Sequence, residues 1–217
     1  MIDYWRQLDF VTPDQLDVDV HVVGVGGLGS PIALALAKLG CPRIHLYDPD
    51  SVEPHNLPNQ VYRVRDVGRP KVEALAELLQ EFVPAAVTPH TEKVGVADLS
   101  GIVVSAVDSM ASRRAIWEGS VRYRTGVRLL VDARLGGEVG RVLAVLPASP
   151  IDVDRYEATL FADDAAYEDA CTAQATIYTG FGVAALVAGA IKRHVRQQEL
   201  PWDQVLDFTT STLLADW

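Results

Sequence analysis

The first residues whose types and spacing could do chemistry form a glycine-rich loop at 24–29. The loop reads Gly-Val-Gly-Gly-Leu-Gly and lies between a β-branched run and an Ala- and Leu-rich segment that stops at Gly40. Glycines at this spacing permit a tight strand-to-helix turn, and backbone N–H groups at the helix start can bind phosphate. The candidate phosphate-binding residues are Gly24, Gly26, Gly27, Leu28 and Gly29.

A carboxylate follows the loop at the distance that nucleotide-binding proteins use. Asp48 comes 24 residues after Gly24, at the end of a second predicted strand, Arg43 to Tyr47. A carboxylate at this place can accept hydrogen bonds from ribose hydroxyls. The loop and Asp48 together predict a site for a nucleotide, and they leave NAD and ATP both open.

The polar residues after the second strand favour ATP. Asp50, Asn56, Gln60 and Lys71 follow in order, more than a dinucleotide enzyme needs here. Lys71 begins a predicted helix, where a cation faces the positive end of the helix dipole. A bound polyphosphate would reverse that unfavourable interaction. The alternative is a solvated lysine on an exposed turn.

Asp108 ends a predicted buried strand, Ile102 to Ala106. In an open parallel sheet the carboxyl ends of the strands line the ligand crevice, so Asp108 is expected near the glycine loop and Asp48. A carboxylate that faces ATP phosphates usually does so through Mg²⁺, which prefers oxygen ligands. The alternative role is an N-cap for the helix predicted over 112–123.

The elements that must position these residues alternate between strand and helix. This order predicts a mostly parallel, doubly wound α/β sheet with helices on both faces. The strands predicted at Leu129–Arg134 and Arg141–Leu146 are joined by a short glycine turn, which adds an antiparallel pair near the C-terminus. A final strand is predicted near Val205–Thr210.

We interpret residues 1–217 as one domain. Residues 147–170 carry seven acidic residues and one basic residue, and they predict a long mobile loop. The uncharged run at 171–191 is interpreted as part of a buried helix at about 173–196 rather than as a membrane span. The net charge of −10 argues against a nucleic-acid surface. Two cysteines exclude a disulfide scaffold and a four-cysteine zinc site, and they favour a cytoplasmic setting.

Taken together, the motifs resemble those of the ThiF/MoeB/HesA superfamily, the ubiquitin-activating-enzyme-like adenylyltransferases. The resemblance covers about residues 3–115 well and the helix at 171–192 more loosely. The matching segments are Tyr4-Trp-Arg-Gln7, the glycine loop 24–30, Asp48-Pro-Asp-Ser-Val52, His55-Asn-Leu-Pro-Asn-Gln60, Val67-Gly-Arg-Pro-Lys71, and Asp108 with Arg113.

This resemblance implies a Rossmann-like fold, a homodimer, and ATP- and Mg²⁺-dependent adenylation of the C-terminal glycine of a ubiquitin-like protein. Asn56, Gln60 and Lys71 would contact the triphosphate, and Asp108 would bind Mg²⁺. Arg6 would act as an arginine finger on the partner subunit's ATP. The product would pass to a conjugating-enzyme-like or sulfur-carrier pathway protein.

The sequence departs from the family pattern at three points. Ser109 follows Asp108 where the family often has Asn. Asn59 stands where the family usually has Arg, so one phosphate-neutralising charge is missing, and Arg63 or Arg65 is a possible substitute. The paired Cys-x-x-Cys motifs of the zinc-binding members are absent, so no zinc is expected.

Cys171 resembles the family's acyl-accepting cysteine in its place before a small-residue helix. A thiol near a helix start has its thiolate favoured, but a free cysteine is also often a small buried hydrophobic residue. Both interpretations stay open. Cys41, directly after Gly40, is interpreted as structural.

Two other functions compete with adenylation. A catalytically impaired scaffold subunit of a heterodimeric activating enzyme is favoured by Asn59 and opposed by Arg6, Lys71 and Asp108. An NAD-binding oxidoreductase leaves Asn56, Gln60 and Lys71 without a role.

Overall fold

The computed structural model describes residues 3–161 and 176–217 of the 217-residue chain. Within these residues, eight strands form one sheet in the order β3-β2-β1-β4-β5-β6-β7-β8. The strands are β1 Asp19–Val23, β2 Arg43–Tyr47, β3 Ala86–His90, β4 Gly101–Ser105, β5 Val127–Gly136, β6 Val139–Val145, β7 Asp203–Asp207 and β8 Thr212–Asp216. The first five pair in parallel, and β5 to β8 pair antiparallel.

Helices lie on both faces of this sheet. The α-helices are α1 Gly29–Leu39, α2 Lys71–Phe82, α3 Met110–Ile116, α4 Pro150–Glu157 and α5 Ile177–Val195. Short 3-10 helices occur at Trp5–Gln7, Pro13–Leu16, Pro54–Asn56 and Val64–Asp66. Among the helices of the described residues, none is long and apolar enough to cross a membrane.

The two faces of the sheet bury separate hydrophobic clusters because successive strand residues point to opposite sides. On β4, for example, Ile102 and Val104 belong to the cluster under α1, α2 and α5, whereas Val103 belongs to the cluster under α3 and α4. The larger cluster also contains Cys41, and burial raises the pKa of this thiol to about 12, as expected for a structural cysteine.

The strand order produces one crevice. After β1 the chain builds outward through β2 and β3, and then β4 returns to the other side of β1. The segments that leave the carboxyl ends of β1 and β4 therefore diverge, which is where open α/β sheets bind ligands. This confirms the predicted fold class: a mostly parallel sheet, helices on both faces, and an antiparallel addition at the C-terminal side.

The prediction of a loop over 147–170 is wrong for its first part, since α4 occupies Pro150–Glu157. Ser149 caps this helix by accepting a hydrogen bond from Asp152 N, and Pro150 starts it with a favourable backbone angle. Tyr156 then anchors the helix in the core. Residues 162–170 lie outside the described residues.

Two predicted elements also need correction. The helix expected over 112–123 begins at Met110 and changes into a π-helix at Trp117–Val121. The last strand is two strands, because the chain turns at Phe208–Ser211, between β7 and β8, and returns antiparallel.

Candidate functional site

A cavity of about 1000 Å³ opens at the carboxyl ends of β1, β2, β4 and β5. Most of the candidate residues from the sequence line it. The lining includes Gly24, Gly26, Gly27, Leu28, Asp48, Asp50, Gln60, Lys71 and Asp108. The glycine loop and the residues after β2 and β4 thus converge as the sequence predicts.

The glycine loop is close-packed where it leaves β1. Gly24 has a φ of +83°, and a Cβ there would lie 2.7 Å from the backbone oxygen of Ala106. A Cβ on Gly29 would clash with the oxygen of Gly24. Both positions require glycine for the tight turn. At Gly26, in contrast, the nearest atom to an added Cβ is Gln60 Nε2 at 4.0 Å, so this part of the loop faces open space.

Asp48 is a fixed carboxylate between the glycine loop and the segment after β2. It is 7% exposed; its Oδ2 accepts from Val25 N at 2.9 Å, and its Oδ1 accepts from Asp50 N at 2.9 Å. A carboxylate has about four acceptor positions, so each oxygen can still accept from a ligand hydroxyl. This arrangement suits a ribose.

Lys71 is buried, which contradicts the interpretation as a solvated lysine. It is 7% exposed, and its Nζ donates to Asp50 Oδ2 at 3.0 Å. Backbone hydrogen bonds fix its position, since Lys71 N donates to Asp50 O and Val52 N donates to Arg69 O. The Asp50 side chain is 65% exposed, so the ion pair joins a buried lysine to a carboxylate that solvent reaches.

The three polar residues at 56–60 differ in whether they line the cavity. Asn56 does not line the cavity; its Oδ1 accepts from Glu53 N and caps a 3-10 turn. Within the described part of the chain, Asn59 Oδ1 and Gln60 Oε1 are buried without a hydrogen-bond partner. Gln60 reaches the cavity, whereas Asn59 is not among its lining residues. Buried amide oxygens are normally paired, so the Gln60 Oε1 beside the cavity fits a site whose ligand supplies a hydrogen-bond donor.

Arg63 and Arg65 do not replace the missing arginine at position 59. Arg63 bonds to buried Asp66 and to Glu81, and Arg65 bonds to Glu77 and Glu81. Neither lines the cavity. Their ion pairs instead stabilise the segment before α2.

Asp108 lines the cavity at the start of α3, and it is not the N-cap of that helix. Ser109 is the cap, because its Oγ accepts from Ser112 N at 3.2 Å. In the described residues no group of three or more His, Cys, Asp or Glu could hold a metal ion. A Mg²⁺ bound mainly by water and phosphate needs only one or two carboxylates, so Asp108 fits that ion.

The two remaining candidate residues are Arg6 and Cys171. Arg6 is exposed in a 3-10 turn, with its guanidinium 5.6 Å from the Trp5 ring centre, and it does not line the cavity of its own chain. Cys171 lies outside the described residues, so its role as an acyl acceptor stays a prediction.

Sequence reasoning missed the β5 side of the cavity. Arg113, Arg134, Arg141 and Phe161 line it there. Behind them Asp132 is fully buried and binds both Arg113 and Arg134. An Asp inside an otherwise apolar strand, with Arg two residues later at the strand end, is the signal that could have found this cluster.

A row of stacked aromatic rings lies on β1, β2 and β3 next to the cavity. Tyr47, which lines the cavity, stacks on His90 at 4.3 Å, and His21 stacks on His45 at 4.6 Å. His21 Nδ1 lies 3.1 Å from Tyr47 Oη. Burial and the neighbouring His45 lower the pKa of His21 to about 4, and burial also lowers the pKa of His90. Both rings are therefore neutral at pH 7.

The chain is similar to curated adenylyltransferases and activating enzymes. It is 36% identical over 109 residues to the Nedd8-activating enzyme E1 catalytic subunit of Drosophila melanogaster, covering 47% of this chain and 24% of that protein. It is 31% identical over 141 residues to the sulfur carrier protein ThiS adenylyltransferase of Escherichia coli, covering 61% and 55%. The matches thus span from about a quarter to about half of these relatives.

Solved structures share the fold. PaaA has a TM-score of 0.76 at 19% identity, over 99% of this chain and 68% of that one. E. coli MccB with ATP has a TM-score of 0.69 at 16% identity, over 94% and 64%. The ThiF family model matches residues 6–201. The chain therefore belongs to the ThiF family.

Proposed function

We propose that this chain uses ATP and Mg²⁺ to adenylate the C-terminal carboxylate of a ubiquitin-like, β-grasp protein. The observation that carries the proposal is the buried Lys71 beside Asp48 and the glycine loop, in one cavity that Asp108 also lines. The relatives named as adenylyltransferases of sulfur carriers and as activating enzymes support the same chemistry.

The reaction requires positioning and charge neutralisation more than acid–base catalysis. A carboxylate oxygen attacks the α-phosphorus of ATP, the bond to the β-phosphate breaks, and pyrophosphate leaves with its negative charge. No proton has to move, because the nucleophile is already ionised. Lys71 and the loop N–H groups stabilise phosphate charge, and Asp48 orients the ribose. Asp108 would hold Mg²⁺, which when bound would supply further positive charge to the phosphates.

The test is ATP–pyrophosphate exchange with a β-grasp protein that ends in Gly. We expect exchange with that protein and none with the same protein lacking its last Gly. Lys71→Ala should abolish exchange while it keeps the fold. Wild-type protein that binds ATP but never exchanges, with Gly-terminated partners from its own genome, would favour the scaffold alternative that Asn59 suggests. Reduction of NAD⁺ would instead favour an oxidoreductase.

Arg6 extends the proposal to a homodimer. It is exposed and outside its own cavity, which suits an arginine that reaches the ATP of a second copy. Mixed dimers of Arg6→Ala with Lys71→Ala should regain part of the exchange activity, since one complete site would form. Verified mixed dimers without activity would contradict a shared site.

Cys171 is the proposed acceptor of the acyl group after adenylation. With ATP and the partner, the wild type should form a thiol-sensitive adduct. Cys171→Ala should lose the adduct yet keep pyrophosphate exchange. If the adduct persists in Cys171→Ala, or if the wild type exchanges without forming one, the acyl-adenylate passes directly to another protein.

A further inference from the structure

The strongest feature outside the nucleotide residues is a buried ion cluster behind the β5 wall of the cavity. Asp132 has no exposed surface. Its Oδ1 accepts from Arg113 Nε at 3.1 Å, and its Oδ2 accepts from Arg134 Nε at 2.8 Å and from Tyr156 Oη at 3.3 Å. Two guanidinium groups therefore share one carboxylate.

Among the residues that the structure describes, this cluster carries an excess positive charge in buried surroundings, because two arginines share one carboxylate. The side chains of Arg113 and Arg134 are only 5% and 11% exposed, and both arginines line the cavity. A buried charge without a counter-ion is unfavourable, so an anion in this part of the cavity would be stabilised. The nearby Arg141 differs, because Asp203 neutralises it one to one in a bidentate pair.

Arg134 is oriented before any ligand arrives. Its Nη1 donates to Thr159 O at 3.1 Å, and its Nη2 donates to Thr159 Oγ1 at 2.9 Å. With the bond to Asp132, these contacts to residues of the described part of the chain use three of its five N–H groups, which leaves two single donors that point in different directions. A donor that is already fixed loses little conformational entropy when it binds.

The same contacts place Arg134 between two chain segments that line the cavity. Arg134 is near the carboxyl end of β5, and Leu135 and Gly136 after it line the cavity. Thr159 holds the end of α4, and Phe161, two residues later, lines the cavity as well. Arg134 thus joins the β5 wall to the segment that leaves α4.

We infer that Arg134, with Arg113 behind it, receives the terminal carboxylate of the tail that is adenylated. This inference rests on the proposed function and adds the residue that binds the acyl side of the reaction. Arginine suits this role because its guanidinium stays charged, and each N–H group that remains can donate a charge-assisted hydrogen bond to a carboxylate oxygen. Asp108, the carboxylate on the neighbouring wall, serves Mg²⁺ in this account.

The test uses two defined probes, AMP and glycyl-sulfamoyl-adenosine, an unreactive mimic of the glycyl adenylate. The mimic keeps the acyl carbonyl and a negative charge at the acyl linkage. The change from phosphate to sulfamate is the same for every variant, so a difference between variants in the affinity ratio of mimic to AMP measures the acyl side. We expect the wild type to prefer the mimic. Arg134→Gln should lose about ten- to hundredfold of that preference while its AMP affinity is unchanged.

Arg141→Gln is the matched control, since it removes an arginine from the same cavity that is already neutralised. It should keep the preference for the mimic. Arg134→Lys keeps the charge without the fork and should retain an intermediate preference; it also covers the case in which Arg134→Gln fails to fold. An unchanged preference in a folded Arg134 variant with normal AMP affinity would overturn this inference alone. Wild-type protein that binds neither probe nor ATP would overturn the proposed function as well.

Discussion

Asp50 and Asp132 each bind a cationic side chain beside the cavity. Asp50 follows β2 and Asp132 lies in β5, and β1 and β4 lie between these two strands in the sheet. The Asp50 side chain is 65% exposed and makes one ion pair, with Lys71. Asp132 is fully buried and joins two arginines and a tyrosine. A ligand can replace the single exposed partner of Lys71 at small cost, whereas the Asp132 cluster must persist for the wall to keep its shape.

The nucleotide end and the β5 end of the cavity also hold their charged side chains in different ways. At the nucleotide end, backbone N–H groups fix Asp48, so no side chain is consumed to hold it. At the β5 end, Asp132 holds the arginines and, among the described residues, leaves one positive charge in excess. The molecule thus offers a cation with a replaceable partner where phosphate would bind, and a rigidly held cation where we infer the acyl carboxylate.

The largest expected effect comes from Asp132. Asp132→Asn removes the shared charge and leaves two buried guanidiniums repelling each other, so the free energy of unfolding should fall by about 3–5 kcal/mol. Asp50→Asn is the control and should cost about 1 kcal/mol or less, because the pair is partly solvated. Urea denaturation of both variants gives these values. Equal losses would remove the contrast between the two ends.

The nucleotide end and the β5 end of the cavity also differ in how much of them the sequence could predict. The glycine loop, Asp48 and Lys71 were predictable because each lies in a local pattern of strand, turn and helix start. The β5 cluster could not be predicted from a local pattern. Arg134 contacts Thr159, which is 25 residues further along the chain, only when α4 has packed against the sheet. Helix α4 itself was missed because its acidic composition hid the Ser149-Pro150 start signal.

A second expected effect concerns pH and the row of stacked aromatic rings at the nucleotide end. His21 has a pKa lowered to about 4 in the folded protein, so between pH 6.5 and 4 the unfolded chain binds a proton that the folded protein does not. Stability should therefore fall as pH decreases through that window, by about 3 kcal/mol from this residue.

His21→Phe isolates this contribution, because it keeps a ring between Tyr47 and His45 but cannot titrate. Thermal unfolding at pH 6.5 and 4.5 should show a smaller loss in the variant than in the wild type. His55→Gln, at an exposed histidine beside Glu53, serves as the control and should behave like the wild type. A full pH dependence in His21→Phe would assign the loss to other groups.

The smallest expected effect separates capping from catalysis at α3. Ser109→Ala should cost about 1 kcal/mol of stability through the lost cap while it retains activity. Asp108→Asn should leave stability nearly unchanged and abolish pyrophosphate exchange, because Asp108 serves Mg²⁺ in the proposed reaction. Melting and exchange assays on the two neighbours check this. A large stability loss in Asp108→Asn would give that residue a structural role instead.

The most direct test of the account is a calorimetric titration of Mg²⁺·ATP into the wild type, Lys71→Ala and Arg134→Gln. We predict that Lys71→Ala weakens ATP binding by about ten- to hundredfold, since a charge-assisted contact to phosphate is lost. Arg134→Gln should bind ATP as the wild type does. Equal ATP affinity in the wild type and Lys71→Ala would contradict the account, as would loss of ATP binding in Arg134→Gln.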